Sequence, residues 1–373
     1  MKKNIMMLVF SKKTGIGGHF YSLITIAEQL RKIYNVYIVN VGLVPSSIIE
    51  NSPISSIYIY SDYRNVYQTL KNINKEVERY KIDILHAFDL YSYLLGAISA
   101  KKKSLPIVLN KCGGPNVKLP YVYNMIFFTK ENYLFYRNSP KNRDCHFSLI
   151  PNRVSDFLCD EEKITMIRDK YNLKNKKVVL RVGSFSNAYK KTIEQAIELI
   201  DLLRQKNDEY ILLLIGVIPN NDVYEWIKEK IKGKESYVFI ETDKFFAENA
   251  KQILEIATVV VGTGRGFMEG CAKNKIMYAP CSNDKYPVLV TDENFEDVFA
   301  TNFSDRYERK EHDVSLMEDG KQISRIWFEK RFSVLEVGQY YKTFYEELKC
   351  DKRIGIDIYY YLIKYYIASF MSK

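Results

Sequence analysis

The sequence predicts an α/β protein made of two doubly wound halves, each a parallel sheet with helices on both faces. Three observations lead to this prediction. Short apolar runs alternate with longer segments of helical periodicity. The alternation restarts after the punctuating residues 151–153 (PNR). The chain has 373 residues, more than one hydrophobic core ordinarily supports, so two domains are expected.

The first half opens with the apolar residues 5–10, which Ser11 and two lysines follow. This run is too short for a signal peptide and suits a strand buried on both faces. Helices are predicted where apolar residues recur at helical spacing. The predicted strands are 5–10, 36–41, 57–60, 83–87, 107–110 and 146–150, and the predicted helices are 21–32, 67–80 and 91–100.

The second half follows a charged helix predicted at 161–170. Beyond residue 290 the pattern changes to acidic and aromatic helices without clear strands. The expected domains are 1–152 and 153–330, with helices at 331–373 packing back on the first domain. The predicted strands are 178–182, 211–215, 238–240, 258–261 and 276–279, and the predicted helices are 192–204, 223–231 and 247–256.

Charge and composition limit the class of partner. The formal net charge is +10, but lysines and arginines are scattered without a long basic block. This favours an anionic small substrate or an acidic membrane surface over a nucleic acid. An ordinary basic protein of an AT-rich genome is an equally good interpretation.

Cysteine and histidine spacing predicts no metal site. The six cysteines form no CxxC pair, and they are expected to be reduced thiols in a cytosolic protein. The histidines (His19, His86, His146, His312) are too dispersed for a ligand motif, and His86 and His146 are expected to be packed.

Residues 259–280 (VVVGTGRGFMEGCAKNKIMYAP) predict an anion site. A buried strand, a glycine turn and a helix start together direct backbone N–H groups and the positive helix end at one point. Glu269 cannot hold phosphate there. Its carboxylate is better placed to accept hydrogen bonds from hydroxyls, such as those of a ribose beside the phosphate. The alternative, a carboxylate satisfying the helix dipole, stays open.

A second cluster of cations follows the first strand of the second half. Arg181, Lys190 and Lys191 stand at a strand end and a helix entrance, where their charge opposes the helix dipole. A bound diphosphate would remove this conflict, whereas the alternative is a solvated loop. Other glycines at strand ends are Gly17, Gly18, Gly113, Gly114 and Gly216.

The order of these features resembles a known family, the retaining glycosyltransferases of the GT-B fold, family 4 type. Gly17-Gly18 resembles the family's first-loop glycine pair. The other matching segments, in order, are 83–89 (DILHAFD), 149–154 (LIPNRV), 181–185 (RVGSF) with Lys190, 213–216 (LLIG), 262–272 (GTGRGFMEGCA) and 332–345 (FS…Y…Y).

The resemblance implies two Rossmann-like domains facing across a cleft, with the acceptor on the N-terminal side and the nucleotide-sugar on the C-terminal side. It implies that Lys190, helped by Arg181, stabilises the diphosphate leaving group. Glu269 would bind the ribose hydroxyls, and Gly216 would border the nucleotide base. The N–H groups of Gly266, Phe267 and Met268 would cradle the diphosphate.

The remaining glycines, Gly17, Gly18, Gly113 and Gly114, would form the acceptor or phosphate loops. No cofactor or metal is expected. The implied partners are a UDP- or GDP-linked sugar and a glycan or lipid-linked acceptor. The implied role is bacterial capsule or O-antigen synthesis in the cytoplasm.

Three departures from the family pattern bear on the site. Val261 stands where a first glutamate is usual, eight residues before Glu269. Ser184 stands at the position of the usual phosphate-binding arginine, which Arg181 or Lys191 would replace. The catalytic-region histidine is missing from 110–116 (NKCGGPN). Two alternatives therefore stay open: a nucleotide-sugar epimerase of the same fold, and a non-catalytic sugar-nucleotide or polysaccharide-binding protein.

The last stretch, 354–371, is rich in Tyr and Ile and has two charged residues, Asp357 and Lys364. It is expected to pack on the first domain as a closing helix. A peripheral position on the inner face of the cell membrane is the alternative, because tyrosine suits the membrane interface.

Overall fold

The computed structural model describes residues 2–12, 15–310, 323–350 and 355–371. His312 and the first residue of the C-terminal stretch lie outside these ranges. The chain divides into two compact units. Unit 1 comprises Met1–Arg153 with Val334–Lys373, and unit 2 comprises Val154–Ser333.

Unit 1 is built on a seven-stranded, all-parallel sheet with the strand order β3-β2-β1-β4-β5-β6-β7. The strands are β1 (Asn4–Ser11), β2 (Asn35–Gly42), β3 (Ser56–Tyr60), β4 (Ile84–Ala87), β5 (Ile107–Lys111), β6 (Asn124–Phe127) and β7 (His146–Leu149). The helices are α1 (Gly18–Leu30), α2 (Ser47–Glu50), α3 (Val66–Arg79), α4 (Leu90–Lys103) and α5 (Lys130–Arg137).

The sheet of unit 1 is covered on both faces. Alternate residues of β1 enter two different hydrophobic clusters: Met6 and Leu8 pack with α3 and α4, whereas Ile5 and Met7 pack with α1. A strand buried on both faces reads as a continuous apolar run, and for this reason its sequence shows no alternation.

Unit 2 has a six-stranded sheet with the order β10-β9-β8-β11-β12-β13, parallel except for the last strand. The strands are β8 (Lys177–Val182), β9 (Tyr210–Ile215), β10 (Val238–Glu241), β11 (Ala257–Val261), β12 (Ile276–Ala279) and β13 (Val288–Leu289). The helices are α6 (Glu161–Lys170), α7 (Lys190–Lys206), α8 (Asn221–Lys230), α9 (Lys244–Ala247), α10 (Gly264–Ala272), α11 (Phe295–Ala300) and α12 (Ser324–Trp327).

The two faces of the second sheet bury different helices. Helices α7 and α8 cover one face, and α6, α10 and α11 cover the other. Helix α6 shows why the charged segment is helical: Asp160 caps it by accepting from the N–H of Lys163, with acidic residues in the first turn and basic ones in the last.

Two helices close the chain, α13 (Val337–Glu346) and α14 (Ile356–Met371), and both belong to unit 1. Helix α13 packs on α1, with Gly338 against Gln29. Tyr341 and Tyr345 of α13 are buried; their hydroxyls bond to Asn110 and to His86, respectively. Helix α14 packs on α4.

The prediction of two doubly wound α/β halves is confirmed. The sequence prediction missed β6, β13, α2 and α5. It also proposed a single helix at 247–256, where the structure has the last residue of α9 and a 3-10 segment (Ala250–Ile256). These segments are four residues or fewer, or lack a clear apolar period, so tertiary packing decides their conformation.

Candidate functional site

The candidate site lies where the strand order of unit 2 reverses. Strands β8 and β11 are neighbours, and the chain leaves them toward opposite edges of the sheet. In open α/β sheets a crevice forms at the carboxyl ends of such strands and receives the ligand. Here β8 ends at Val182 and β11 at Val261, and a glycine follows each.

The glycines at this edge allow strand ends to approach closely. A Cβ atom on Gly216 would lie 1.9 Å from the carbonyl oxygen of Gly183. A Cβ on Gly183 would lie 2.7 Å from Nη1 of Arg181. Gly216, predicted to edge the base, therefore has a packing reason to be glycine in the structure.

Arg181 is the buried cation of the site. Its side chain is only 2% exposed. Nη2 donates to Thr192 Oγ1 at 2.8 Å, and Nη1 donates to the carbonyl of Val182. Nε is buried without a hydrogen-bond partner, and in the described part of the chain no ion pair joins this guanidinium to a carboxylate.

Burial lowers the pKa of Arg181 to about 10, and the charges of Tyr189 and Asp305 oppose the shift. A buried charge without a counter-ion is costly, because the two hydrogen bonds of Arg181 to neutral oxygens replace only part of its lost hydration. Arg181 contacts Thr192 in the first turn of α7, and the positive end of this helix makes the burial of a positive charge less favourable. The arrangement suits an anionic ligand.

The two lysines at the start of α7 point in different directions. Lys190 Nζ lies 4.5 Å from the centroid of the Trp226 ring on α8. Lys191 Nζ donates to the carbonyl of Ser282, which follows β12. Lys191 therefore lies at the carboxyl edge on the side of β11 and β12, and Lys190 turns toward α8.

Helix α10 begins at the second strand end with an unusual first turn. Gly264 has φ +49°, and its N–H donates to the carbonyl of Asn302 at 2.9 Å. The side chain of Thr263 makes no capping hydrogen bond. A Cβ on Gly266 would meet no atom within 4 Å, so this part of the helix faces open space.

The three residues of the predicted N–H cradle differ in their surroundings. The N–H of Gly266 donates to the carbonyl of Thr263 at 3.0 Å. The side chains of Phe267 and Met268 are fully buried, and Phe267 stacks on Phe303 with ring centroids 3.7 Å apart. These two residues hold α10 in the core, and Gly266 is the one that borders the open space.

Glu269 is paired within its own helix. Arg265 Nε donates to Glu269 Oε1 at 2.8 Å, and both side chains are largely buried. Sequence reasoning assigned no role to Arg265. The four-residue spacing was the available signal, since such residues lie one above the other on a helix, but residues 262–266 were predicted to be a turn.

A cavity of about 620 Å³ in unit 2 lies away from this site. It is bordered by Leu173, Lys174, Lys176 and Val178, near the amino end of β8. The candidate site at the carboxyl ends of the strands is therefore at the opposite edge of the sheet.

Unit 1 has its own reversal of strand order, between β1 and β4. Gly17 precedes α1, and Gly18 faces open space. Asp89, after β4, accepts from the N–H of Phe10 at 2.6 Å and from Oγ of Ser92 at 2.7 Å. Burial lowers the pKa of His19, and the charge of Asp89 opposes the shift.

The glycine pair after β5 forms a turn in the left-handed region. Gly113 has φ +95° and Gly114 has φ +76°, conformations that favour glycine. Asn132 donates to the carbonyl of Gly114 at 3.1 Å, and Lys111 donates to that of Gly113. The loop is therefore held by its own neighbours.

Two of the histidines make contacts within unit 1. His86 is fully buried, its Nδ1 lies 2.7 Å from the Tyr345 hydroxyl, and burial lowers its pKa to about 3. His146 Nε2 lies 3.2 Å from Glu347 Oε2, and its ring stacks on Phe344. Within the described ranges, no three His, Cys, Asp or Glu side chains are grouped to hold a metal ion.

The described helices include none that is both long and apolar enough to cross a membrane.

Comparison with known proteins identifies the fold. No family model matches the chain, and no curated protein matches it in sequence. Solved structures match over most of its length. The Anabaena protein HepE, in complex with UDP and glucose, has a TM-score of 0.64 at 14% identity, covering 92% of this chain and 100% of that one.

Two further structures agree. A glycosyltransferase from Rickettsia africae has a TM-score of 0.66 at 15% identity, covering 93% of this chain and 98% of that one. The sucrose-phosphate synthase of Thermosynechococcus elongatus has a TM-score of 0.59 at 14% identity, covering 93% and 99%. The predicted fold class, two Rossmann-like domains of the GT-B type, is confirmed.

Proposed function

We propose that this protein is a glycosyltransferase that takes a sugar from a nucleotide-sugar donor. The observation that carries the proposal is Arg181, a buried guanidinium without a carboxylate partner at the carboxyl edge of the sheet. Support also comes from the fold, since HepE has been solved with UDP, with UDP-glucose and with UDP and glucose.

The donor's diphosphate is the anion that this edge suits best. Negative charge grows on the diphosphate as the bond to the sugar breaks, and fixed cations lower the energy of that state. In our proposal Arg181 contributes a buried charge and Lys191 leaves the Ser282 carbonyl to bind the phosphates. Lys191 takes this role ahead of Lys190, because Lys190 lies on Trp226.

Glu269 is proposed to bind the ribose of the donor. Oε1 accepts from Arg265, which fixes the orientation of the carboxylate. Oε2 is then available to accept from a ribose hydroxyl. Gly266 lets the ligand approach the first turn of α10, since the space beside it is open.

The finer parts of the proposal rest on the sequence resemblance to family 4. They are hexosyl transfer with retention of configuration, a glycan or lipid-linked acceptor, and a role in capsule or O-antigen synthesis in the cytoplasm. The glycine loops of unit 1, at Gly17-Gly18 and Gly113-Gly114, are the proposed acceptor side.

One observation favours a second candidate, a sugar-nucleotide-binding protein without transferase activity. The position of the family's first glutamate is Val261, which is fully buried at the end of β11. Because residue 261 is a valine, this position supplies no carboxylate to contact the donor sugar. Such a protein would bind nucleotide-sugars and leave them intact.

The test separates these candidates. The full chain is incubated with a panel of UDP- and GDP-sugars, with and without acceptor glycans, and nucleoside diphosphate release is measured beside binding affinity. A transferase binds one donor and releases its nucleoside diphosphate. The sugar is then found linked to the acceptor, or as free sugar where water has replaced the acceptor. Binding without release supports the second candidate, an epimerised sugar still on its nucleotide indicates an epimerase, and no binding to any donor contradicts the proposal.

A further inference from the structure

Helix α14 presents one packed face and one exposed face. Ile358, Tyr361, Leu362 and Tyr365 join the core of unit 1. Tyr365 lies 5.1 Å from the ring of Tyr91 on α4. The helix is therefore anchored to unit 1 through residues 358–365, and this contact fixes the orientation of its outer face.

The outer face is a continuous apolar and aromatic stripe. Its members recur at helical spacing and are each 44% to 56% exposed: Tyr359, Tyr360, Ile363, Tyr366, Ile367 and Phe370. Isolated exposed apolar residues are ordinary, but a contiguous set of six marks an interaction surface. At 1.5 Å per residue, the helix is about 24 Å long.

The charges beside this stripe are basic. Lys364 is exposed on α14 itself, with Nζ 4.5 Å from the Tyr360 ring. Lys118 is exposed too, and its charge reaches the stripe: Lys364 first, and Lys118 after it, lower the pKa of the Tyr360 hydroxyl. Asp357 is the acidic residue of the helix, and its Oδ2 accepts from the N–H of Tyr121 at 2.6 Å. The carboxylate is thus held against unit 1.

We propose that the outer face of α14 is a docking surface for a lipid bilayer that contains anionic lipids. A helix lying in the interface buries its apolar face at the boundary of headgroups and acyl chains. Tyrosine suits this boundary, because its ring is apolar and its hydroxyl stays among the headgroups. Lys118 and Lys364 beside the stripe match the negative charge of anionic headgroups.

This surface does not depend on the donor chemistry of unit 2. The proposed function would gain from it, since a lipid-linked acceptor lies at a membrane, but either inference can fail without the other.

The test is vesicle flotation of the full chain with two vesicle compositions, phosphatidylcholine alone and phosphatidylcholine with phosphatidylglycerol. The test variant is the triple substitution Ile363→Ser, Ile367→Ser and Phe370→Ser. The matched control removes three exposed apolar side chains elsewhere, by Tyr67→Ser, Leu158→Ser and Met166→Ser. A second variant, Lys118→Glu with Lys364→Glu, tests the charge.

The wild type and the matched control are expected to float with the anionic vesicles. The triple variant should lose at least about tenfold in partition coefficient, since the burial of three apolar side chains is removed. The charge variant should lose binding to anionic vesicles, and added salt should weaken the binding of the wild type.

Three outcomes would overturn the proposal: no flotation of the wild type with anionic vesicles, equal flotation of the triple variant, or loss of binding only in the matched control. A fourth would reassign the surface. If sedimentation shows a wild-type dimer that the triple variant converts to monomer, and neither protein floats, a second copy covers the stripe. Circular dichroism and nucleoside diphosphate affinity of each variant confirm that folding and unit 2 are unchanged.

Discussion

Arg265 Nε lies 2.8 Å from Oε1 of Glu269, one helical turn further along α10, and both side chains are largely buried. This ion pair gives the carboxylate a fixed direction. It also divides the two oxygens of Glu269 between a structural partner and a ligand.

Glu269→Gln is expected to remove recognition of the ribose. If Glu269 accepts from a ribose hydroxyl, the wild type binds UDP or GDP more tightly than the 2′- or 3′-deoxy analogue, by roughly tenfold. The variant should bind the nucleotide and the deoxy analogue of the sensitive position about equally. Calorimetric titration of both ligands measures this, and full discrimination in the variant would show that Glu269 serves only the helix.

The two lysines at the start of α7 provide a test variant, Lys191→Ala, and its control, Lys190→Ala. Lys191→Ala is expected to lower nucleoside diphosphate affinity by about tenfold, because one charge-assisted hydrogen bond is lost. Lys190→Ala should change the affinity less than about twofold, since its ammonium lies over Trp226. The reverse order would restore Lys190 to the role that the sequence resemblance implies.

Alanine substitutions at Gly216 and Gly266 should distinguish a glycine needed for packing from a glycine needed for ligand binding. Gly216→Ala places a Cβ 1.9 Å from the carbonyl oxygen of Gly183. It should lower the free energy of unfolding by about 2–4 kcal/mol. Gly266→Ala faces open space, so stability should be unchanged or raised by up to about 1 kcal/mol.

Gly266→Ala should nevertheless weaken nucleotide binding, because the added methyl group occupies the space that the ligand needs. Chemical denaturation and titration are run on both variants. Wild-type affinity in Gly266→Ala would mean that the ligand does not approach this turn.

His86 predicts a pH dependence of stability. Burial lowers its pKa from 6.5 to about 3 in the folded protein. Between these values the unfolded chain binds the proton and the folded chain does not. The stabilising contribution is therefore complete above pH 6.5, and it is lost as the pH falls, by about 1.4 kcal/mol per pH unit.

Denaturation of the wild type and of His86→Gln from pH 4 to 7 measures this slope. The variant should lose that part of the dependence. His146→Gln is the control, since this imidazole is partly exposed and bonded to Glu347, and it should change the slope less. Equal slopes in wild type and His86→Gln would show that folding does not lower the pKa of His86.

Much of the fold was predictable, because parallel strands buried on both faces leave continuous apolar runs such as residues 211–215 (ILLLI). The four-residue strand β6 was not, since Asn124 interrupts its apolar pattern and its amide bonds to the carbonyls of Ile107 and Lys349. Those contacts connect residues distant in sequence, so they cannot be predicted from the local periodicity of the sequence.

The site was predictable in part for a similar reason. The spacing of β8 and α7 predicts that cations stand at a strand end, and Arg181 is found there, buried. Spacing cannot tell which way adjacent side chains point. The prediction of Lys190 as the cation for the leaving group came from the resemblance, and the contacts with Trp226 and Ser282 now favour Lys191. The four-residue spacing of Arg265 and Glu269 is compatible with an ion pair on a helix. The pair was not predicted, because the glycine-rich residues 262–266 indicate a turn, whereas α10 begins at Gly264.

In the proposed function Arg181 binds the diphosphate of the donor, and the substitution Arg181→Met tests this role most directly. Removing an unpaired buried charge while keeping its volume should leave the free energy of unfolding unchanged or raise it by about 1 kcal/mol. The affinity for UDP or GDP should fall roughly a hundredfold, with the weak binding of the bare nucleoside unaffected. Calorimetric titration of the folded variant decides the question: wild-type affinity for the nucleoside diphosphate in Arg181→Met would contradict the claim.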